Sequence, residues 1–175
     1  MTRYFSPIFI VTWILFLIPG ATSGKLSAPV RYSVDPVHSS ILFRCKHNNA
    51  AYFYGRMNSF SGTIVLDEQN ISNSSVTVEV DANSVDTNQE RRDDHLRSPD
   101  FFNARQFPKI SFRSKSVRRL ADGTLEVRGD FTLRGVTREL TLKVHITGRG
   151  RTPQGKEITG FHTVFTIQRS DFNVR

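Results

Sequence analysis

Hydrophobic residues recur at every second position through most of this chain, and the pattern is cleanest over 124–134. There Leu125, Val127, Phe131 and Leu133 hold odd positions, while Glu126, Arg128, Asp130 and Arg134 hold even ones. A strand sends successive side chains to opposite faces, so this segment has one dry face and one wet face. The same alternation predicts strands near 31–47, 52–67, 75–83, 108–118, 124–134, 138–148 and 157–168, the first interrupted at Asp35-Pro36 because proline donates no ladder hydrogen bond. Turn-forming residues separate them at Asn48-Asn49, Glu68-Gln69-Asn70, Asp122-Gly123, Gly135 and Gly150 to Gly155. Strands at this spacing, joined mostly by hairpin-length loops, predict an all-β antiparallel meander that closes as an up-and-down barrel.

One segment breaks the period of two. Thr87-Asn88-Gln89-Glu90 has the spacing of a capping box, which predicts a helix running through Arg91 to Leu96 and stopping before Pro99. Pro99 then opens a short turn through Phe101 and Phe102. The whole reads as a helical crossover near 88–103, with Leu96, Phe101 and Phe102 as its buried contacts.

The N-terminal residues follow a different rule. Arg3 is the single charge before an apolar run from Ile8 to Ile18, broken only by Thr12 and followed by Pro19-Gly20-Ala21-Thr22-Ser23. That run is too short to cross a hydrocarbon core of about 30 Å as a helix. It fits a cleavable secretory signal over 1–23, followed by a linker over 24–30 and one domain over 31–175, which predicts a periplasmic or secreted protein. Removal of 23 residues from 175 leaves a length that suits one core.

Composition narrows the content of the dry face. Fourteen Phe against one Trp and two Met make it aromatic, with few polar groups for chemistry. The net charge of +8 suits an anionic lipid surface or nucleic acid, or serves solubility alone. Nucleic acid is disfavoured because Phe43, Phe112, Phe131, Phe161 and Phe165 keep phase with aliphatic residues, whereas Arg44, Arg113, Arg128 and Arg134 fall on the opposite phase. Cys45 is the only cysteine, so no internal disulfide forms, and it shares the apolar phase with Ile41, Phe43 and His47. A buried thiol is expected there, and His47 needs a hydrogen-bond partner or a polar ligand group.

Other chemistry is thinly supported. The run from Gly150 to Lys156 has the glycines of a phosphate loop, but Glu157 stands where Ser or Thr would hold magnesium, and the run joins two strands. The set His38, His47, His95 and His162 lacks the short spacing of a local metal clip. Asp93, Asp94 and His95 beside Arg91 and Arg92 have no nucleophile to serve. Asn70-Ile71-Ser72 and Asn73-Ser74-Ser75 match glycosylation sequons.

The order of motifs carries a resemblance. Tyr32-Ser33-Val34-Asp35-Pro36 with His38-Ser39, Gly62-Thr63-Ile64, Arg92-Asp93-Asp94-His95-Leu96 through Phe101-Phe102, Phe107-Pro108-Lys109-Ile110-Ser111-Phe112, Gly129-Asp130-Phe131-Thr132-Leu133-Arg134-Gly135-Val136-Thr137 and Arg169-Ser170-Asp171-Phe172 together resemble the YceI-like polyisoprenoid-binding family. The resemblance implies a lipocalin-like barrel of eight antiparallel strands that holds a long isoprenoid-type lipid, a prenyl quinone or prenyl phosphate, with no cofactor and no catalysis. It also implies a final strand after Phe172, so the domain is expected to be C-terminally incomplete. On this reading Phe43, Cys45, His47, Phe60, Phe112, Phe131, Leu133, Leu142, Val144, Phe161 and Phe165 line the lumen, and Arg91, Asp94 and His95 lie at its polar mouth. A homodimer and a membrane surface are compatible partners. The rival reading is an enzyme acting on a lipid-like substrate, or one using metal held by the four histidines.

Overall fold

The computed structural model describes residues 28–174 apart from Asn49. The expected signal segment and most of the linker lie outside the described residues. Ten strands form among those described: β1 (Val30–Ser33), β2 (Ile41–His47), β3 (Ala51–Met57), β4 (Phe60–Leu66), β5 (Ser75–Asp81), β6 (Val85–Asp86), β7 (Lys109–Arg119), β8 (Leu125–Leu133), β9 (Val136–Arg151) and β10 (Glu157–Thr163), with one α-helix, α1 (Glu90–Arg97). Seven strands make one antiparallel sheet in the order β1-β4-β5-β7-β8-β9-β10, and β2-β3-β6 make a second, smaller sheet.

Ladder register converts the alternation into a wall. Val80 faces Ile110, Phe112 faces Phe131, Val127 faces Leu142 and Phe161 faces Ile146, so apolar side chains share one face from strand to strand. The wall curls until its two edges approach: Tyr32 of β1 and Phe161 of β10 stand edge to face at 6.3 Å. Among the described residues no ladder joins β1 to β10. The result is a nearly closed barrel, with seven strands in its wall where the resemblance implies eight.

Two of the expected strands are each two strands. The stretch 31–47 divides at the Asp35-Pro36 turn, where the Asp35 carboxylate accepts from the Val37 amide and bonds the His38 ring, sending β1 and β2 into different sheets. The stretch 52–67 divides at Asn58-Ser59, whose backbone bonds to Ser84 and Asp81 turn the chain from the small sheet into the large one. At the other end, β10 stops at Thr163 and a 3₁₀ turn follows over Arg169–Phe172. The linker also ends early, since Val30 already pairs with Leu66.

The helix starts later than the capping box predicts. Asn88 adopts a left-handed conformation (φ 59°), so Gln89 becomes the cap and its side chain accepts from the Arg92 amide. Thr87 instead donates its hydroxyl and its amide to the buried Asp93 carboxylate, at 2.5 and 2.9 Å. The Arg92 guanidinium donates to the Thr87 hydroxyl and carbonyl, and Arg97 donates to the carbonyls of Asn83 and Val85. These bonds fix α1 against β6, with Leu96 buried beneath it.

Candidate functional site

The barrel interior holds two apolar clusters joined through Phe131. The first contains Met57, Val80, Val85, Leu96, Ile110, Leu133, Phe172 and Val174; the second contains Leu66, Phe112, Val117, Leu125, Val127 and Leu142. Register places them at opposite ends of the wall. Phe60, Val80, Ile110 and Val136 mark the end nearer α1, whereas Val30, Leu66, Leu125 and Arg151 mark the far end.

The end nearer α1 is closed. The Phe172 ring is 1 % exposed and meets Phe131 edge to face at 5.4 Å, and Val174 is buried beside it. Arg134, in the β8–β9 turn, donates to the carbonyls of Pro99 and Asn173, which ties the C-terminal turn to the crossover. The far end is open. A cleft of about 550 Å³ lies between the β1–β4 side, with Val30, Tyr32 and Leu66, and the β9–β10 side, with Gly150, Ile158 and Thr159. Tyr32 and Leu66 also belong to the second apolar cluster, so the cleft leads to the dry interior. Four charges rim it as two ion pairs, Arg149 with Glu68 across the opening and Arg151 with Glu157 at 2.8 Å.

The expected lumen residues divide by place. Phe112, Leu133 and Leu142 are buried in the wall, and Phe60, Phe131, Val144 and Phe161 are half-buried along it. Phe43 and Cys45 belong to the small sheet. Phe43 packs edge-on against Phe53 and Phe102 at 6.5 Å each, and burial pushes the Cys45 thiol pKa up, with Arg169 partly opposing. His47 departs from expectation: it is exposed at the end of β2, its ring bonded to the Asn48 side chain at 3.1 Å, so the dry phase of β2 ends at Cys45. Phe165 lies beyond β10 and is 44 % exposed, touching Phe131 at 5.9 Å.

The expected polar mouth also needs correction. Arg91, Asp94 and His95 are exposed on α1, at the closed end, and none of them lines the cleft. Asp94 pairs with Arg97, and His95 packs on Phe101 at 4.9 Å. The rim residues Glu68, Arg149, Arg151 and Glu157 escaped the sequence reading because only the curl of the sheet brings a β4–β5 loop to the end of β9. Phe172 escaped it too, lying outside any strand. Its place in the Arg169–Phe172 motif was the available signal.

The four histidines do not gather. His38 bonds Asp35 within its own turn at 2.7 Å, and His162 is exposed on β10. Among the described residues, no group of three or more His, Cys, Asp or Glu could hold a metal ion. The geometry places an apolar interior behind a cleft with a polar rim.

Comparisons with known proteins agree with this architecture. A family profile described as YceI-like domain matches residues 32–175. Protein YceI of Salmonella newport is 37% identical over 153 residues, which cover 87% of this chain and 80% of that protein, and Protein YceI of Salmonella arizonae is equally similar. Among solved structures, Burkholderia cenocepacia BcnA aligns with a TM-score of 0.72 at 25% identity, covering 81% of this chain and 84% of that one. The Campylobacter jejuni YCEI protein aligns with a TM-score of 0.66 at 29% identity, covering 82% and 84%.

Proposed function

The chain belongs to the YceI-like family, and on that premise we propose that it is an exported protein that sequesters or carries a long isoprenoid-type lipid inside its barrel. The observation that carries this reading is the curl of the long sheet. Tyr32 and Phe161, from its two edges, meet beside a cleft that leads to an apolar interior. A prenyl chain suits such an interior, because each buried methylene contributes about 0.8 kcal/mol and needs no directional partner. The paired charges at the rim suit the polar head of the lipid, which would remain near water. Binding and release would be the whole of its action, and the N-terminal signal would place that action in the periplasm or outside the cell.

Organic extraction of the purified protein followed by mass spectrometry tests the reading. A stoichiometric prenyl lipid is expected, or stoichiometric uptake of an added prenyl quinone or prenyl phosphate. An extract without lipid, from a protein that also takes up none of the added compounds, overturns it.

A further inference from the structure

The outward face of β2 and β3 belongs neither to the interior nor to the crossover. Leu42, Arg44 and Lys46 point outward from β2, and Tyr52, Tyr54 and Arg56 from β3, all exposed. Register sets Leu42 beside Arg56, Arg44 beside Tyr54 and Lys46 beside Tyr52, so every rung joins a cation to an apolar or aromatic side chain. Leu42 is 70 % exposed, Tyr54 63 % and Tyr52 53 %, which makes a contiguous patch and not scattered single residues. Neither strand contains a carboxylate. The acid in register with this face is Asp86, opposite Arg56 and bonded to the Asn58 side chain and the Asn88 amide. The separation of aromatic from basic residues therefore holds for the phenylalanines and fails for these two tyrosines.

Charge and chemistry select the partner. Cations on an exposed face are drawn to anionic headgroups, and tyrosine rings sit at the boundary between headgroup and acyl chain. Leucine gains only if it reaches hydrocarbon. A face of rings and cations also fits stacked nucleic-acid bases, but here the Arg44 guanidinium covers the Tyr52 ring at 4.6 Å, and Leu42, more exposed than either tyrosine, has no stacking surface. We propose that the outward face of β2 and β3 docks this protein on an anionic bilayer surface. The docking rests on this face alone and holds whatever the interior carries.

Sedimentation of the purified full chain with vesicles tests it, comparing phosphatidylcholine with an equal mixture of phosphatidylcholine and phosphatidylglycerol. Binding to the anionic mixture is expected, weakening as ionic strength rises. The double variant Arg44→Glu, Lys46→Glu should weaken it by at least about thirtyfold, since each cation near such a surface is worth roughly a factor of six. Leu42→Ser with Tyr54→Ser should weaken it by about tenfold through lost apolar insertion. Arg105→Glu with Arg119→Glu makes the same charge change in the turn after the crossover and on β7, and should stay within about threefold of the parent. Circular dichroism checks that each variant is folded. Equal losses in the two charge variants, no effect of the Leu42 and Tyr54 changes, or tighter binding to a single-stranded oligonucleotide than to anionic vesicles would each overturn the proposal.

Discussion

Phe172→Ala should cost this protein about 3–4 kcal/mol of stability, because a buried phenylalanine cut to alanine loses its transfer energy and leaves a void, together about 3–5 kcal/mol. The side chain is 1 % exposed among Val80, Leu133 and Val174, and its ring stands at 88° to Phe131, an arrangement that contributes roughly 0.5–1.5 kcal/mol within that loss. The lower part of the range applies because the Arg169–Phe172 turn, free of any sheet ladder, can relax into the space. Phe165→Ala is the matched comparison. It removes the same group from the same Phe131 neighbour, at 5.9 Å, but from a side chain already 44 % exposed, so about 1 kcal/mol is expected. Urea titration should show the midpoint fall with an unchanged slope for both variants. Thermal melts should drop roughly 10 °C for Phe172→Ala and under about 4 °C for Phe165→Ala. Equal losses in the two variants, or a loss under about 1 kcal/mol at Phe172, would refute the claim that this ring seals the closed end.

Two further perturbations probe the wall and its loops. A methyl group at Gly129 would collide with the Arg113 carbonyl and the Ser114 Cα where β7 bulges, so Gly129→Ala should destabilise by about 2 kcal/mol or more, whereas Gly148→Ala, with nothing nearby, should be close to neutral in the same urea titration. The Asp67 carboxylate is held below the ordinary aspartate range by the Asn70 amide, the Asn73 side chain and the Gln69 amide. Its folded pKa is depressed, so its contribution is present above the unfolded value of about 3.9 and is lost as pH falls through the lower folded value. Melting temperature followed downward from about pH 4 should therefore fall less steeply in Asp67→Asn than in the parent, and identical acid limbs would count against this role.

The readable part of the molecule was its local order. Alternation through Leu125, Val127, Phe131 and Leu133 gave a strand with the correct inner face, because a strand's side-chain period depends on nothing outside the strand. The same rule placed Phe112, Leu142 and Val144 on the wall. It failed at His47, where the strand ends and the phase no longer implies burial. It failed again at Asn58-Ser59, since alternation does not record a change of sheet.

Alternation and motif order therefore carried the wall strands, most of their inner faces, the helical crossover and the family, but not the sheet each segment joins. Which end is open depends on the assembled fold. Closure at Phe172, the meeting of Tyr32 with Phe161, and the Arg149–Glu68 bridge each join residues far apart in the chain, and their encounter depends on the curl of the whole sheet. Curl accumulates from small twists between neighbouring strands, so it is a property of the assembled wall that no single segment encodes.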